Sequence, residues 1–153
     1  IAPIMGLLRD LRARGHARPV RLAYAVGAPR NLACLDEIAA AEADLDLRSL
    51  LLSETEEPGF EGQVGRLDRA RLAAMLDGLD PRRTVAMICG PGPMITAVAD
   101  QLIDLGLPMD RVMYERFDYS EGTSRQDTRM QWRFRALGGG LLAGVLGFVA
   151  ALT

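Results

Sequence analysis

The chain has 153 residues, of which 49% are hydrophobic, and a formal net charge of -2 at pH 7. This length suits one domain with a short appendage, and this hydrophobic content suffices for a packed core. A slightly acidic chain gives no electrostatic case for nucleic acid as a partner. Cys34 and Cys89 are far apart in the sequence and match no metal-ligand spacing, so we predict no metal site.

Helical and strand patterns alternate along residues 2–117. Pro3 suits the first turn of a helix over 2–15, and Gly15 suits its end. We expect Asn31 to cap the second helix and Asp68 to cap the third. The patterns predict strands at Val20–Val26, 45–54, 84–89 and 110–117, and further helices at 32–43, 67–79 and 94–106.

This alternation predicts an α/β fold, a doubly wound parallel sheet of the Rossmann-like, nucleotide-binding kind. A sheet of this kind normally begins with a strand, whereas this chain begins with the helix that follows one. We therefore expect the chain to be a piece of a longer protein, with its first strand missing.

The C-terminal end predicts a transmembrane helix. Residues 136–153 carry no charge and, as a helix, would span roughly 27 Å. Their five glycines disfavour the alternative, a helix buried against the sheet. Arginines and Trp132 precede the span, which places that side, and the soluble domain, in the cytoplasm. The predicted organisation is an α/β domain at 1–119, a polar linker at 120–131 and a transmembrane helix at 132–153.

The most distinctive motif is CGPGPM at 89–94, between a predicted strand and a predicted helix. In open α/β sheets, ligands bind beyond the carboxyl ends of strands, where helix N-termini offer free N–H groups. Glycines permit close approach to the backbone, and prolines remove N–H groups that a helix start leaves unpaired. The residues alone favour equally a ligand-binding turn and a stiff connection with a buried Cys89.

Five segments, in order, resemble the ferredoxin–NADP reductase superfamily. CGPGPM resembles its Cys-Gly-Pro-x-Pro-Met motif, and IAP at 1–3 resembles the end of its Gly-x-Gly-Ile-(Thr/Ala)-Pro loop. LAYAVGAPRNLACLDEI resembles its second strand and helix, LLLSETEEPGFEGQVGRLD its third strand and following loop, and VMYERF its last strand. The resemblance covers residues 1–117. It implies an NAD(P)-binding module that works beside a flavin-binding β-barrel.

The resemblance also implies roles for individual residues. Cys89 would stand near the nicotinamide carbon that gives up hydride, with Glu115 and Phe117 at the junction with the flavin. The phosphate and nicotinamide path would follow Ala2, Pro3, Gly90, Pro91, Gly92, Pro93 and Met94. The adenosine end would involve Ser53, Glu54, Arg66 and Gly27, with Arg30 compensating for the Arg or other polar residue that many members carry at the position of Gly27.

The implied cofactors are NADH and an FAD held by a domain absent from this chain. NADH is favoured over NADPH because the carboxylates at 54–57 would repel a 2′-phosphate, although Arg66 could pair with one. The expected protein is a membrane-tethered reductase, inactive as this isolated chain. It would pass hydride to the flavin, in the same longer chain or a partner subunit, and electrons to a haem, iron–sulfur or quinone acceptor. The alternatives are a catalytically inactive, membrane-anchored accessory subunit of a host complex and a nucleotide-sensing regulatory domain.

Overall fold

The computed structural model describes residues 1–116 and 145–151. Phe117, the predicted linker and most of the predicted transmembrane helix lie outside the described residues. The helices are α1 Ala2–Ala13, α2 Leu35–Asp44, α3 Arg69–Leu76 and α4 Gly92–Asp104. The strands are β1 Val20–Val26, β2 Leu47–Ser53, β3 Gln63–Val64, β4 Val85–Gly90, β5 Val112–Arg116 and β6 Val145–Ala151.

The six strands form one sheet in the order β3-β2-β1-β6-β4-β5. Every neighbouring pair is parallel, which confirms the predicted α/β fold with a parallel sheet. β1 has the predicted bounds, and the other predicted strands begin or end within two residues of the observed ones. β3 is a two-residue strand within a stretch that the sequence predicts as a loop.

Helices cover both faces of the sheet, as a doubly wound arrangement requires. On one face, α1 and α2 pack against alternate residues of β1, including Leu22 and Tyr24. On the other face, α3 and α4 pack around Ala23 and Ile88. The alternation along β1 places successive side chains in two separate cores, so both of its faces are buried.

The C-terminal segment requires a correction. Instead of the helix predicted over 132–153, Val145–Ala151 form β6, paired in parallel with β1 on one side and β4 on the other. This is the central place that the first strand takes in a sheet of order 3-2-1-4. A short apolar run does not distinguish a buried strand from a helix by periodicity, and two neighbours here satisfy its backbone hydrogen bonds.

Among the residues that the structure describes, we find no helix that is both long enough and apolar enough to span a bilayer.

The start of α2 also differs from the prediction. Asn31 lies in a short 3-10 turn, and α2 begins later, after Cys34, whose φ of 60° is left-handed. The buried Tyr24 hydroxyl accepts a hydrogen bond from the backbone N–H of Ala33 at 3.1 Å. It also donates to the Asn31 carbonyl at 3.5 Å. A buried hydroxyl needs such partners, and these contacts hold the turn away from helical geometry.

Candidate functional site

The carboxyl ends of the parallel strands meet at one edge of the sheet. The pairing register sets Val26, Ser53 and Ala151 level with one another at this edge. From β6, the chain's strands run outward in two directions, with β1, β2 and β3 on one side and β4 and β5 on the other. Such a change of direction is where open α/β sheets bind ligands. The structure therefore gathers both predicted ends of the site along one edge.

The turn at residues 90–94 joins β4 directly to α4. Gly90 ends the strand in a buried position, and Pro91 is the N-cap of the helix, without a side-chain cap. Gly92 and Pro93 form the first positions of α4. Because both prolines lack N–H groups, Gly92 and Met94 carry the N–H donors of this first turn. This arrangement can present two backbone donors, and the positive end of the helix dipole, to an anionic group.

Cys89 and Glu115 lie side by side on neighbouring strands, as register partners of β4 and β5. Cys89 is only 2% exposed and belongs to the core beneath α1, whereas Glu115 is exposed. Burial raises the pKa of the Cys89 thiol, and the Glu115 carboxylate raises it further. A protonated, buried thiol is a poor nucleophile, so Cys89 can shape the site and exclude water but is not poised to attack.

The N-terminus of α1 reaches the same edge. Ala2 and Pro3 form its first turn, which no side chain of the described residues caps. α1 packs against both β4 and β6. Two helix N-termini, those of α1 and α4, therefore flank the central strand, and each can attract a phosphate.

The loop after β2 closes the other end of this edge. The Glu54 backbone N–H donates to the Val26 carbonyl at 3.1 Å, and the Thr55 hydroxyl donates to the Gly27 carbonyl at 3.3 Å. Ser53 is fully buried, and its hydroxyl donates to the Thr55 carbonyl at 2.7 Å. The Ser53 hydroxyl therefore holds the start of this loop, and the role that the family resemblance implies for Ser53 at the adenosine end stays a prediction.

Gly27 lies at the carboxyl end of β1 with open space beside it. A Cβ atom built on it would meet no atom of the described residues within 4 Å, apart from those of its own chain neighbours. Its φ is not left-handed, so neither packing nor backbone strain explains the glycine. Open space next to a strand end suits the close approach of a ligand.

Two ion pairs flank the loop at 54–57. The Arg66 guanidinium donates two hydrogen bonds to Glu54, at 2.8 and 3.0 Å, which raises the pKa of Arg66. Arg30 pairs with Glu57 at 2.5 Å. Both predicted cations thus lie at this end of the edge, and both are already paired with carboxylates.

Arg71 on α3 supports the segment that carries Arg66, and sequence reasoning misses this role. It donates to the Gln63 side chain at 3.1 Å, the Arg66 carbonyl at 3.0 Å and the Val64 carbonyl at 3.2 Å. It also pairs with the N-cap Asp68, three residues earlier. That Asp-x-x-Arg spacing at a helix start is a signal for the ion pair. The carbonyl contacts, however, depend on how the preceding loop folds.

Two predictions remain, the role of Phe117 and the absence of a metal site. Phe117 lies outside the described residues. No group of His, Cys, Asp and Glu side chains able to hold a metal ion occurs in the described part of the chain.

Comparison with known proteins adds a family and several relatives. The family model described as "Oxidoreductase NAD-binding domain" matches residues 1–100. The reductase component of propane 2-monooxygenase from Rhodococcus jostii (strain RHA1) is 28% identical over 76% of this chain and 32% of its own length. The electron transfer component of xylene/toluene monooxygenase from Pseudomonas putida is also 28% identical, over 76% of this chain and 33% of its own.

A third relative carries a more specific description. The ferredoxin–NAD(+) reductase component of the alkene monooxygenase system from Xanthobacter autotrophicus (strain ATCC BAA-1158 / Py2) is 29% identical over 76% of this chain and 36% of its own length. The chain thus spans about a third of the length of these relatives.

Proposed function

Because this chain belongs to the oxidoreductase NAD-binding domain family, we propose that it is the NADH-binding module of a flavin-dependent reductase. The single observation that carries the proposal is the pair of helix N-termini, of α1 and α4, on either side of the strand at which the sheet changes direction. Neither is capped by a side chain, and both suit the negative pyrophosphate of a dinucleotide.

The residues along the edge divide the work of binding in this proposal. Ala2 and Pro3 support the pyrophosphate at α1, and the backbone N–H groups of Gly92 and Met94 support it at α4. Gly90, Pro91 and Pro93 fix the shape of the turn. Gly27, Arg30, Glu54 and Arg66 bound the adenosine end, and Ser53 shapes its loop.

Bound NADH supplies a hydride, and in this proposal the flavin that accepts it is an FAD on a domain outside this chain. The buried Cys89 excludes water beside the reacting ring, and Glu115 lies next to it at the open side of β5. Phe117 follows β5 and completes the predicted junction with the flavin. These residues position the ring, since none of the described ones combines exposure with a nucleophilic side chain at this point.

The names of the relatives indicate which acceptor takes the electrons from the flavin. Their names describe reductase or electron transfer components of monooxygenase systems, one of them a ferredoxin–NAD(+) reductase. We propose that the electrons pass from the flavin to a monooxygenase partner through a ferredoxin. An iron–sulfur acceptor is therefore preferred here over the haem and quinone acceptors.

The test is an anaerobic absorption spectrum of the full-length natural protein before and after NADH. We expect a flavin band that bleaches on addition of NADH. A protein with no flavin and no affinity for NADH would be the inactive accessory subunit. Tight NADH binding without bleaching would favour the nucleotide-sensing domain. Either result would contradict the proposed reductase function.

Membrane tethering remains a separate prediction with its own structural condition. It requires the segment that contains β6 to leave the sheet, because residues paired between β1 and β4 cannot also span a bilayer. Extraction of cell membranes with alkaline carbonate checks it. We expect a protein tethered by this segment to stay with the membrane pellet, and its release into the supernatant would contradict the tether.

A further inference from the structure

The opposite edge of the sheet, where β1 and β2 begin, contains a buried arginine. The Arg21 side chain is only 7% exposed and points to the same face of β1 as Ala23, the face that α3 and α4 cover. A guanidinium stays charged at every physiological pH, and a buried charge is costly unless neighbouring groups offset it. The contacts of Arg21 therefore indicate what this edge can bind.

Arg21 uses only one of its guanidinium nitrogens in hydrogen bonds with the described residues. Its Nη1 donates to the Val20 carbonyl at 2.9 Å and to the Asp46 carbonyl at 3.4 Å. Its Nε and Nη2 donate to no acceptor within residues 1–116 and 145–151. These two nitrogens carry most of the N–H donors of the group, and the two carbonyls are uncharged. Arg21 thus keeps donors for a further acceptor, and its charge is not neutralised by these bonds.

A second arginine lies directly beside it. Arg48 on β2 is the register partner of Arg21, so their backbones are one strand spacing, about 4.8 Å, apart and their side chains leave the same face. The Arg48 side chain is exposed and has no hydrogen-bond or ion-pair partner in the described part of the chain. Burial, and then the charge of Arg48, lower the pKa of Arg21. Two like charges side by side repel each other unless a negative group lies between them.

The neighbouring carboxylates do not balance these two charges. The closest oxygen of Asp46 is 3.8 Å from Nη1 of Arg21, too far for a hydrogen bond, and the Asp46 side chain is 52% exposed. Asp44, two residues earlier, instead pairs with Arg12 of α1, at 2.6 and 2.9 Å. Two arginines therefore share one half-exposed carboxylate. Water can accept hydrogen bonds from their N–H groups, but only an anion offsets the excess positive charge.

We propose that Arg21 and Arg48 form a binding site for an oxyanion, a phosphate or carboxylate group, at the amino ends of β1 and β2. A planar guanidinium presents paired N–H donors that match two oxygens of such a group. Because Arg48 is exposed and Arg21 is buried, the anion contacts Arg48 on its solvent side and Arg21 beneath it. The site lies at the edge opposite the turn at residues 90–94, and the inference is independent of the proposed NADH binding.

The experiment titrates the full-length protein with inorganic phosphate, and separately with acetate, in a calorimeter at constant ionic strength. NADH is present in excess, so that phosphate does not occupy the proposed nucleotide site. We expect a dissociation constant of about 1 mM for the preferred anion. Arg48→Gln removes the exposed charge and should weaken binding at least about tenfold. Arg21→Met should weaken it similarly and still fold, because an apolar residue often replaces a buried ion without loss of stability.

Arg83→Gln is the matched control, because Arg83 is an exposed arginine in the turn before β4, at the same edge but outside the pair. We expect it to change the affinity less than about twofold. Tighter binding of phosphate than of acetate would assign the site to a phosphate group, and the reverse to a carboxylate. Wild-type protein that binds neither anion would overturn the site. So would a folded Arg48→Gln variant with unchanged affinity, or an equal loss in Arg83→Gln.

Discussion

The turn at residues 90–94 and the loop at residues 54–57 lie at the same edge of the sheet but present different chemistry. The turn has no charged side chain, begins at a buried strand end and offers backbone N–H groups. The loop carries three carboxylates, of which two are paired with arginines from other segments. Recognition at the turn thus depends on backbone shape, and recognition at the loop depends on how side-chain charges are matched.

The turn and the loop differ because different interactions would hold a ligand at each of them. A helix N-terminus keeps its partial positive charge whatever its side chains are, so small residues and prolines serve it best. Exposed ion pairs contribute little stability but remain sensitive to each charge and to salt. We therefore expect added side-chain bulk to weaken ligand binding at the turn. At the loop, we expect a change of charge to alter the affinity for charged groups.

The largest effect is expected from a change of shape at the turn. Gly92→Val adds a branched side chain at the first position of α4, where a ligand must approach the backbone. We expect it to weaken NADH binding by the full-length protein by at least about tenfold, measured by calorimetry. Ala97→Val adds similar bulk on an exposed position of the same helix and serves as the control. Unchanged affinity in Gly92→Val would mean that the turn is not the binding site.

A smaller effect is expected for the two thiols. Cys89 at the turn is 2% exposed, and burial raises its pKa, whereas Cys34 at the start of α2 is only partly buried. At neutral pH, iodoacetamide should label Cys34 at least about fivefold faster than Cys89, because the thiolate is the reactive form. Peptide mass spectrometry gives the two rates, and denatured protein should show them nearly equal. Rapid labelling of Cys89 would show that the turn is open to solvent.

The smallest effect is expected at Asp68, the N-cap of α3, whose contribution to the stability of the fold should depend on pH. Asp68 accepts a hydrogen bond from the Arg71 backbone N–H at 2.9 Å, which lowers the pKa of its carboxyl below the ordinary 3.8. A lowered pKa means that the carboxylate stabilises the fold above the unfolded value and loses this contribution as pH falls through the folded one. Asp68→Ala should lower the melting temperature by a few degrees at neutral pH.

This difference should begin to shrink as the pH falls below about 4, where the unfolded carboxyl takes up a proton, and should vanish only below the lowered pKa of the folded carboxyl. Asp68→Asn keeps an N-cap side chain and is the matched control, with a smaller loss at neutral pH. A deficit in Asp68→Ala that stays the same from neutral to acidic pH would contradict a role for the charge. Thermal unfolding followed by circular dichroism gives these values.

Much of the sheet can be predicted from the sequence, because local patterns encode it. The strand Val20–Val26 is apolar except for Arg21 and is buried on both sides, and this pattern predicts a buried strand without knowledge of its partners. Asp68 caps α3 as predicted, because an N-cap uses backbone groups only two or three residues away. The glycines and prolines at 90–94 similarly restrict a turn between neighbouring elements. In each case, the energy that decides the structure comes from residues close together in the chain.

Other features were decided by the tertiary structure. The C-terminal residues 136–153 are uncharged, a pattern that suits a membrane helix as well as a buried strand. The place between β1 and β4 turns Val145–Ala151 into β6, because two neighbouring strands there satisfy its backbone. The partners of Arg66 and Arg71 likewise depend on loops folding back onto α3 and β2. The sequence shows which side chains are charged, but contacts between distant segments decide which of them form ion pairs.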